Sequence, residues 1–402
     1  MNRPEKSKSR QKIESETELS RKSFLQKSGG FLTAAALSSY CSTYSRFPSG
    51  LDDPLENARW AGLSDPIHLA LAAGISAPNP HNVQPWKFRI LTSTEALLYV
   101  DPDRVLPETD PTLRQVHMSQ GCLLELLSVA AGELGMSASI SLFPEGYRVP
   151  SDAGKKPVAS IQLIRANQRD PLYASISARR TVRTAYHGPA INSREYTDLK
   201  ALTKPRVSEL RETAPADLQK HLDFHFKGMQ AELAHFPSAE ESRKWFRIGN
   251  DEIYGKRDGI SLASNGVQGF QKWFIETFIL SHDPEDYYDE SGQKMFMDRY
   301  RENLYSVKGQ ILFITKSNTV KDWVLCGRDY ARMQLAAQSM GLVMRPTSQL
   351  MQEFDAMADL AAQYNSFIGV QAPAKIQINA LLGRSDENYQ APRRPLKDML
   401  LS

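Results

Sequence analysis

At 402 residues the chain is long enough for two domains or one large one, and its 41% hydrophobic and 24% charged residues are ordinary for a folded globular protein. With a net charge of only +3, nothing suggests a nucleic-acid footprint spread over the whole surface. Cys41, Cys122 and Cys326 are far apart and show no C-x-x-C spacing, which argues against a zinc site and against a disulfide framework.

The first fifty residues differ from the rest. Residues 1–27 are rich in Lys, Arg, Ser and Glu without apolar periodicity, so disorder is expected there. Arg21-Lys22, then Phe24-Leu25 and a weakly apolar run from Gly29 to Leu37, resemble a twin-arginine export signal with Lys22 in place of the second arginine. That reading implies recognition by the Tat export machinery and an exported, periplasmic or cell-envelope protein. The bland alternative is a basic tail ahead of a short helix, in a cytoplasmic protein. The apolar run is far short of the ~20 residues that span a bilayer as a helix. Cys41 is a weak candidate for lipidation, since the bulky Tyr40 precedes it.

Next comes "AAGISAPNPHNVQPWKFRI", residues 72–90, which breaks a run of small helical residues with prolines and displays Asn82 and Gln84 before Trp86. "WKFRIL" and "ALLYVD", separated by Thr92-Ser93-Thr94-Glu95, predict a β-hairpin. Residues 121–136 predict a helix, and so do residues 327–342. Gly121, Ala130, Ala131 and Gly135 recur as Gly327, Ala336, Ala337 and Gly341 at a constant offset of 206, as an internal duplication would produce. Both runs end on glycine, as a helix C-terminus favours. Further strands are expected at 158–164, 221–226, 310–315 and 375–382. His221, Asp223 and His225 would share one strand face, open in principle to a metal, while Leu222, Phe224 and Phe226 alternate opposite, as in any half-buried strand. No metal is assigned.

The mixture of helices and strands without regular alternation favours an α+β fold. Neither G-x-G-x-x-G after a strand nor G-x-x-x-x-G-K-[ST] occurs, so neither a dinucleotide fold nor a P-loop is supported. The expected division is 1–50 as signal and linker, 51–165 as a first half and 166–402 as a second. An aromatic-rich insert at about 237–306 reads as a lid or pocket wall, or as a helical pair burying its own aromatics.

Two basic clusters suit a phosphate monoester. One is "ARRTVR", with Arg179, Thr181 and Arg183 alternating, and the other is Arg393-Arg394 between Pro392 and Pro395. Each alone is a weak signal, because most basic runs are solvated faces.

Together "APNPHNVQPW", "DPTLRQVHMSQGCLLELL", "RRTVR", "GRDYARMQLAAQSMGL" with "RPTSQ", and the terminal "RRPL" resemble the flavin-binding nitroreductase family, in its fused two-half Acg-type branch, over residues 54–402. The resemblance implies a nitroreductase-like fold with FMN at the junction of two halves. It places Arg179 and Thr181 on the FMN phosphate and Arg183 on the phosphate or the pyrimidine edge, with Arg393 and Arg394 closing the phosphate site. Pro346, Thr347 and Ser348, before Gln349, would pack beside the flavin's central ring. The loop bearing Pro78, Asn79, Asn82 and Gln84 would serve the flavin's polar edge or ribityl chain; its bland reading is amides bonded to local backbone. Each half lacks the other's motif, which implies one FMN per chain and a monomeric pseudo-dimer. The implied activity is an FMN-dependent oxidoreductase, with NAD(P)H as transient donor and a nitroaromatic, quinone or similar small molecule as acceptor. Its chemistry is centred on the flavin, with no catalytic side chain. The other reading is a flavin-sequestering protein without nicotinamide turnover.

Overall fold

The computed structural model describes residues 53–283 and 288–401, so the export-signal motif and Cys41 lie outside the described residues. The chain begins with α1 (Pro54–Trp60) and α2 (Pro66–Gly74), each with proline in its first turn, where the missing N–H costs nothing. The expected hairpin follows as β1 (Trp86–Thr92) and β2 (Glu95–Val100), paired antiparallel. The long helix α3 (Arg114–Glu133) precedes β3 (Met136–Leu142) and β4 (Ala159–Arg165). These strands make a four-stranded antiparallel sheet in the order β1-β2-β4-β3.

A single turn, α4 (Ser175–Ala178), leads through the arginine motif to α5 (Ser193–Thr203), which Asn192 and Glu195 cap reciprocally. The edge strand β5 (Glu209–Glu212) precedes α6 (Leu218–Ala234). Here the expected strand at 221–226 is corrected to helix. His221 and His225, like Leu222 and Phe226, are spaced i, i+4, and these four are the residues of the segment that are buried. His221 bonds Tyr364 Oη (2.9 Å) and His225 Nδ1 meets Thr347 Oγ1 (3.3 Å), so the histidines serve separate contacts.

The insert is helical. It comprises α7 (Phe236–Lys244), β6 (Phe246–Arg247), α8 (Gly249–Lys256), β7 (Ile260–Ser261), α9 (Gly269–Phe278) and α10 (Glu290–Tyr305), with β6 and β7 pairing parallel. Then come β8 (Gly309–Thr315), the long helix α11 (Val320–Ser339), β9 (Val343–Thr347), α12 (Ala358–Ile368) and β10 (Lys375–Gly383). They complete a second antiparallel sheet, β5-β8-β10-β9.

Helices α3 and α11 pack at the centre of the main core, and glycine makes their contact possible. A Cβ on Gly121 would lie 1.9 Å from the Val324 carbonyl oxygen, and one on Gly327 would lie 1.9 Å from that of Met118. No side chain fits at either place. Beside the crossing, the buried carboxylate of Glu125 holds Arg206 (2.8 Å), Arg328 (3.0 Å) and Arg332 (3.2 Å), so its charge is fully compensated. The chain end returns to the first sheet, where Leu401 N donates to Phe88 O at 2.7 Å.

Candidate functional site

The loop after α2 is held by amide side chains. His81, Asn82 and Gln84 all have positive φ (46°, 54° and 54°), a conformation that costs energy for non-glycine residues and persists only where surrounding contacts impose it. Those contacts are specific. Asn79 Oδ1 accepts from Gln84 N (2.8 Å), while Gln84 Nε2 donates to Arg257 O (2.8 Å) and its Oε1 accepts from Arg394 N (2.8 Å). Asn82 Nδ2 donates to Pro392 O (3.1 Å), and its Oδ1 accepts from Arg393 Nη1 (2.7 Å). Trp86 is wholly buried. The amides therefore stitch the loop to the C-terminal strap, hundreds of residues away in sequence.

Two arginines close this region. Arg393 Nε donates to Ile75 O (3.0 Å), and its Nη2 lies 3.3 Å from both Ser76 O and Ala77 O. Arg179 donates to Ser76 O (2.8 Å) and to Gln334 Oε1 (3.1 Å). The carbonyls follow the last turn of α2, where the helix dipole presents partial negative charge. Burial pushes Arg179 down to about 10; burial, with Arg179 alongside, pushes Arg393 down to about 9. Both stay cationic at neutral pH. Arg394 donates to Asp398 O (3.0 Å) and lies 3.9 Å from the Asp101 carboxylate.

Beside this cluster opens a cavity of about 990 Å³, at the upper end of the range for small-molecule sites. Of the expected site residues, Pro78, Asn79, Thr181, Arg183, Pro346, Thr347 and Ser348 line it. Arg179, Asn82, Gln84, Arg393 and Arg394 do not. The division follows from the extended chain after α4. Thr181 bridges to Met344 of β9, and Arg183 stands two residues on, facing the space.

Arg183 is distinctive. No protein hydrogen bond or ion pair is made by its guanidinium among the described residues, and burial together with the neighbouring Arg345 lowers its pKa. The Thr181 and Ser348 hydroxyls, which line the same space, likewise have no protein partner among the described residues. Arg345, buried on β9, donates to Arg183 O (2.9 Å) and Asn303 O (2.9 Å), which fixes the backbone that carries Arg183. His81 Nε2 meets Ser242 Oγ (3.0 Å), and burial followed by the Arg183 charge lowers it to about 4, so it is neutral at physiological pH. Across the cavity, burial raises the pKa of Glu232, whose Oε2 accepts from Gln352 Nε2 (3.0 Å).

Arg345, His81 and Glu232 were not among the expected site residues. Arg345 had a sequence signal, a cation inside the apolar run "LVMRPT" directly before Pro346. Glu232 had none. Pro346 and Thr347 end β9, Ser348 follows, and Gln349 opens a short 3₁₀ turn.

No family model matches the chain. Part of the sequence is nevertheless similar to curated proteins. A Mycobacterium tuberculosis protein named "Putative NAD(P)H nitroreductase Rv3131" is 38% identical over 112 residues, 27% of this chain and 31% of that protein. Another from the same organism, "Putative NAD(P)H nitroreductase acg", is 38% identical over 68 residues, 17% of this chain and 20% of its own length. The matched stretches thus span about a third or less of these relatives. Among solved structures, the FMN-dependent nitroreductase NfnB of Mycobacterium smegmatis, in complex with NADPH, overlaps 56% of this chain and 94% of its own. The overlap has 13% identity and a TM-score of 0.37, too low to carry weight for the site.

Proposed function

We propose that the chain is an FMN-dependent oxidoreductase of the nitroreductase type, taking electrons from NAD(P)H and passing them to a nitroaromatic, quinone or similar acceptor. The observation that carries this is the guanidinium of Arg183, which faces a largely apolar cavity beside the Thr181 and Ser348 hydroxyls, all three without a protein partner among the described residues. A phosphate monoester needs donors not already used by the protein, and a flavin ring needs apolar walls. The residues present fit both needs. The partial sequence similarity to proteins named as NAD(P)H nitroreductases points the same way.

Arg183, with Thr181 and Ser348, would hold the phosphate, and Arg345 would fix Arg183 in place. Asn79 and Pro78 would bound the opposite side of the cavity on a loop whose strained geometry the C-terminal strap enforces. A bound flavin would supply the hydride and electron chemistry, while the protein binds, orients and excludes water. Arg179 and Arg393 would act from behind, holding the loop and adding positive potential.

One FMN per chain and a monomeric pseudo-dimer complete the reading. Its support is the offset of 206 residues between the two central helices and the meeting of their equivalent glycines, Gly121 and Gly327. The export reading rests on residues 20–37 alone, and Lys22→Gln should abolish export if it is right. The activity is tested on the purified chain. Bound flavin should bleach with NADH or NADPH and recover its colour with a nitroaromatic or quinone; a yellow protein that stays yellow is a flavin-sequestering protein.

A further inference from the structure

We propose that the acceptor is a quinone carrying a hydrocarbon tail, whose ring enters the cavity and whose tail leaves over an apolar lip between α9 and α10. This rests on the reductase reading above and names its substrate class.

The cavity changes character along its length. At its closed end its walls are buried and polar groups converge, with Arg345, Thr347 and Tyr330 all under 5% exposed. From the insert, Val267, Ile275, Ile279, Met295 and Phe296 add apolar side chains to the lining, interspersed with polar ones such as Gln271, Gln293 and Asp298. Ile279, Met295 and Phe296 are 50%, 53% and 39% exposed while still lining the cavity. On α9, outside the cavity lining, Phe270 is also exposed. Large apolar side chains gathered at a cavity mouth mark a binding surface rather than ordinary surface composition.

A compact nitroaromatic has no use for such a lip. A hydrocarbon chain does, because it can lie partly in the passage and partly along the exposed rings. Both signs of charge line the space, Glu232, Asp298 and Glu302 with Arg183, Arg299 and Arg345, and an uncharged quinone ring needs a partner of neither sign. The head group follows from the reductase reading, which requires an electron acceptor. The reaction balances with the donor already proposed. The nicotinamide loses its hydride as a C–H bond breaks, the quinone gains two electrons and two protons, the second proton coming from solvent, and two O–H bonds form to give quinol and NAD(P)⁺.

The test measures binding first. Full-length protein is titrated calorimetrically with 2,3-dimethoxy-5-methyl-1,4-benzoquinone and with its 6-decyl derivative. At roughly fourfold per buried methylene, uptake of about four carbons makes the decyl compound more than ~hundredfold tighter. In Ile279→Gln/Phe296→Gln, both exposed positions, that gain should fall below ~tenfold while affinity for the tail-less ring stays within about twofold. Equal affinities of the two quinones for the wild-type protein would overturn the proposal. So would a tail preference that survives the double substitution. A wild-type dimer that becomes monomeric on Phe296→Gln, with no tail preference, would assign the lip to a second copy of the chain and overturn it too. Tail-dependent binding without quinone reduction by NADPH-treated protein would sink the reductase reading alone and leave the tail site standing.

Discussion

Arg179 and Arg183 belong to one six-residue motif yet live in opposite circumstances. Arg179 has both terminal nitrogens committed, to Gln334 and to Ser76 O, and Arg393 is committed to the carbonyls that end α2 and to Asn82. Arg183 has donors with nothing to bind among the described residues, and it faces the cavity. The lesson is that a basic motif is not a site. Whether an arginine awaits a ligand depends on whether the fold has already consumed its hydrogen bonds.

That contrast can be broken by substitution. The largest effect is expected in the closed region. Arg393→Met strands the Ile75 carbonyl and Asn82 Oδ1 and leaves Ser76 O and Ala77 O with one donor each, from Arg179 and Asn79, so the urea midpoint should drop by the equivalent of roughly 3 kcal/mol. A midpoint within experimental error of the parent would mean the cluster is not structural. Arg183→Ala should do the reverse. FMN affinity should weaken roughly tenfold to over a hundredfold, the loss of a charge-assisted bond of ~1.5–3 kcal/mol, while stability stays within ~0.5 kcal/mol. Arg179→Ala sharpens the comparison, because it should lower the urea midpoint and cost the folded protein less FMN affinity than Arg183→Ala does. Thr181→Val removes one neutral donor and should weaken FMN about fivefold, or ~1 kcal/mol.

The smallest effect is a titration. His81 has a folded pKa of about 4 against an ordinary 6.5, first through burial and then through the Arg183 charge. Its folded state prefers the neutral ring, so its contribution to stability is present above about 6.5 and is lost as pH falls from there towards 4. Arg183→Gln should raise the His81 pKa part of the way back, narrowing that window, as NMR titration would show. An unmoved His81 would separate the two side chains.

Much of the fold was legible because its signals are local. The hairpin at 86–100 declares itself by alternation around a polar turn, and both central helices end just before a glycine at positive φ, Gly135 and Gly341. "HLDFHF" was misread because its alternation of polar and apolar residues also satisfies i, i+4 spacing, and packing against Tyr364 and Thr347 decides for helix. The short edge strand β5 carries no pattern beyond its pairing with β8. In the site, sequence located the right segments but not the direction in which each side chain faces. The bond of Arg179 to Ser76 spans 103 residues, and those of Asn82 and Gln84 to the C-terminal strap span 310 or 311, where no local rule reaches.

The central claim concerns which arginine meets the phosphate, and one comparison tests it directly. Riboflavin lacks the phosphate that FMN carries, so the ratio of their dissociation constants, read by quenching of flavin fluorescence, isolates that contact. The parent protein should prefer FMN strongly, and Arg183→Ala should erase most of that preference while leaving riboflavin binding almost unchanged. An undiminished preference in Arg183→Ala, or a parent protein that binds neither flavin, would contradict the account.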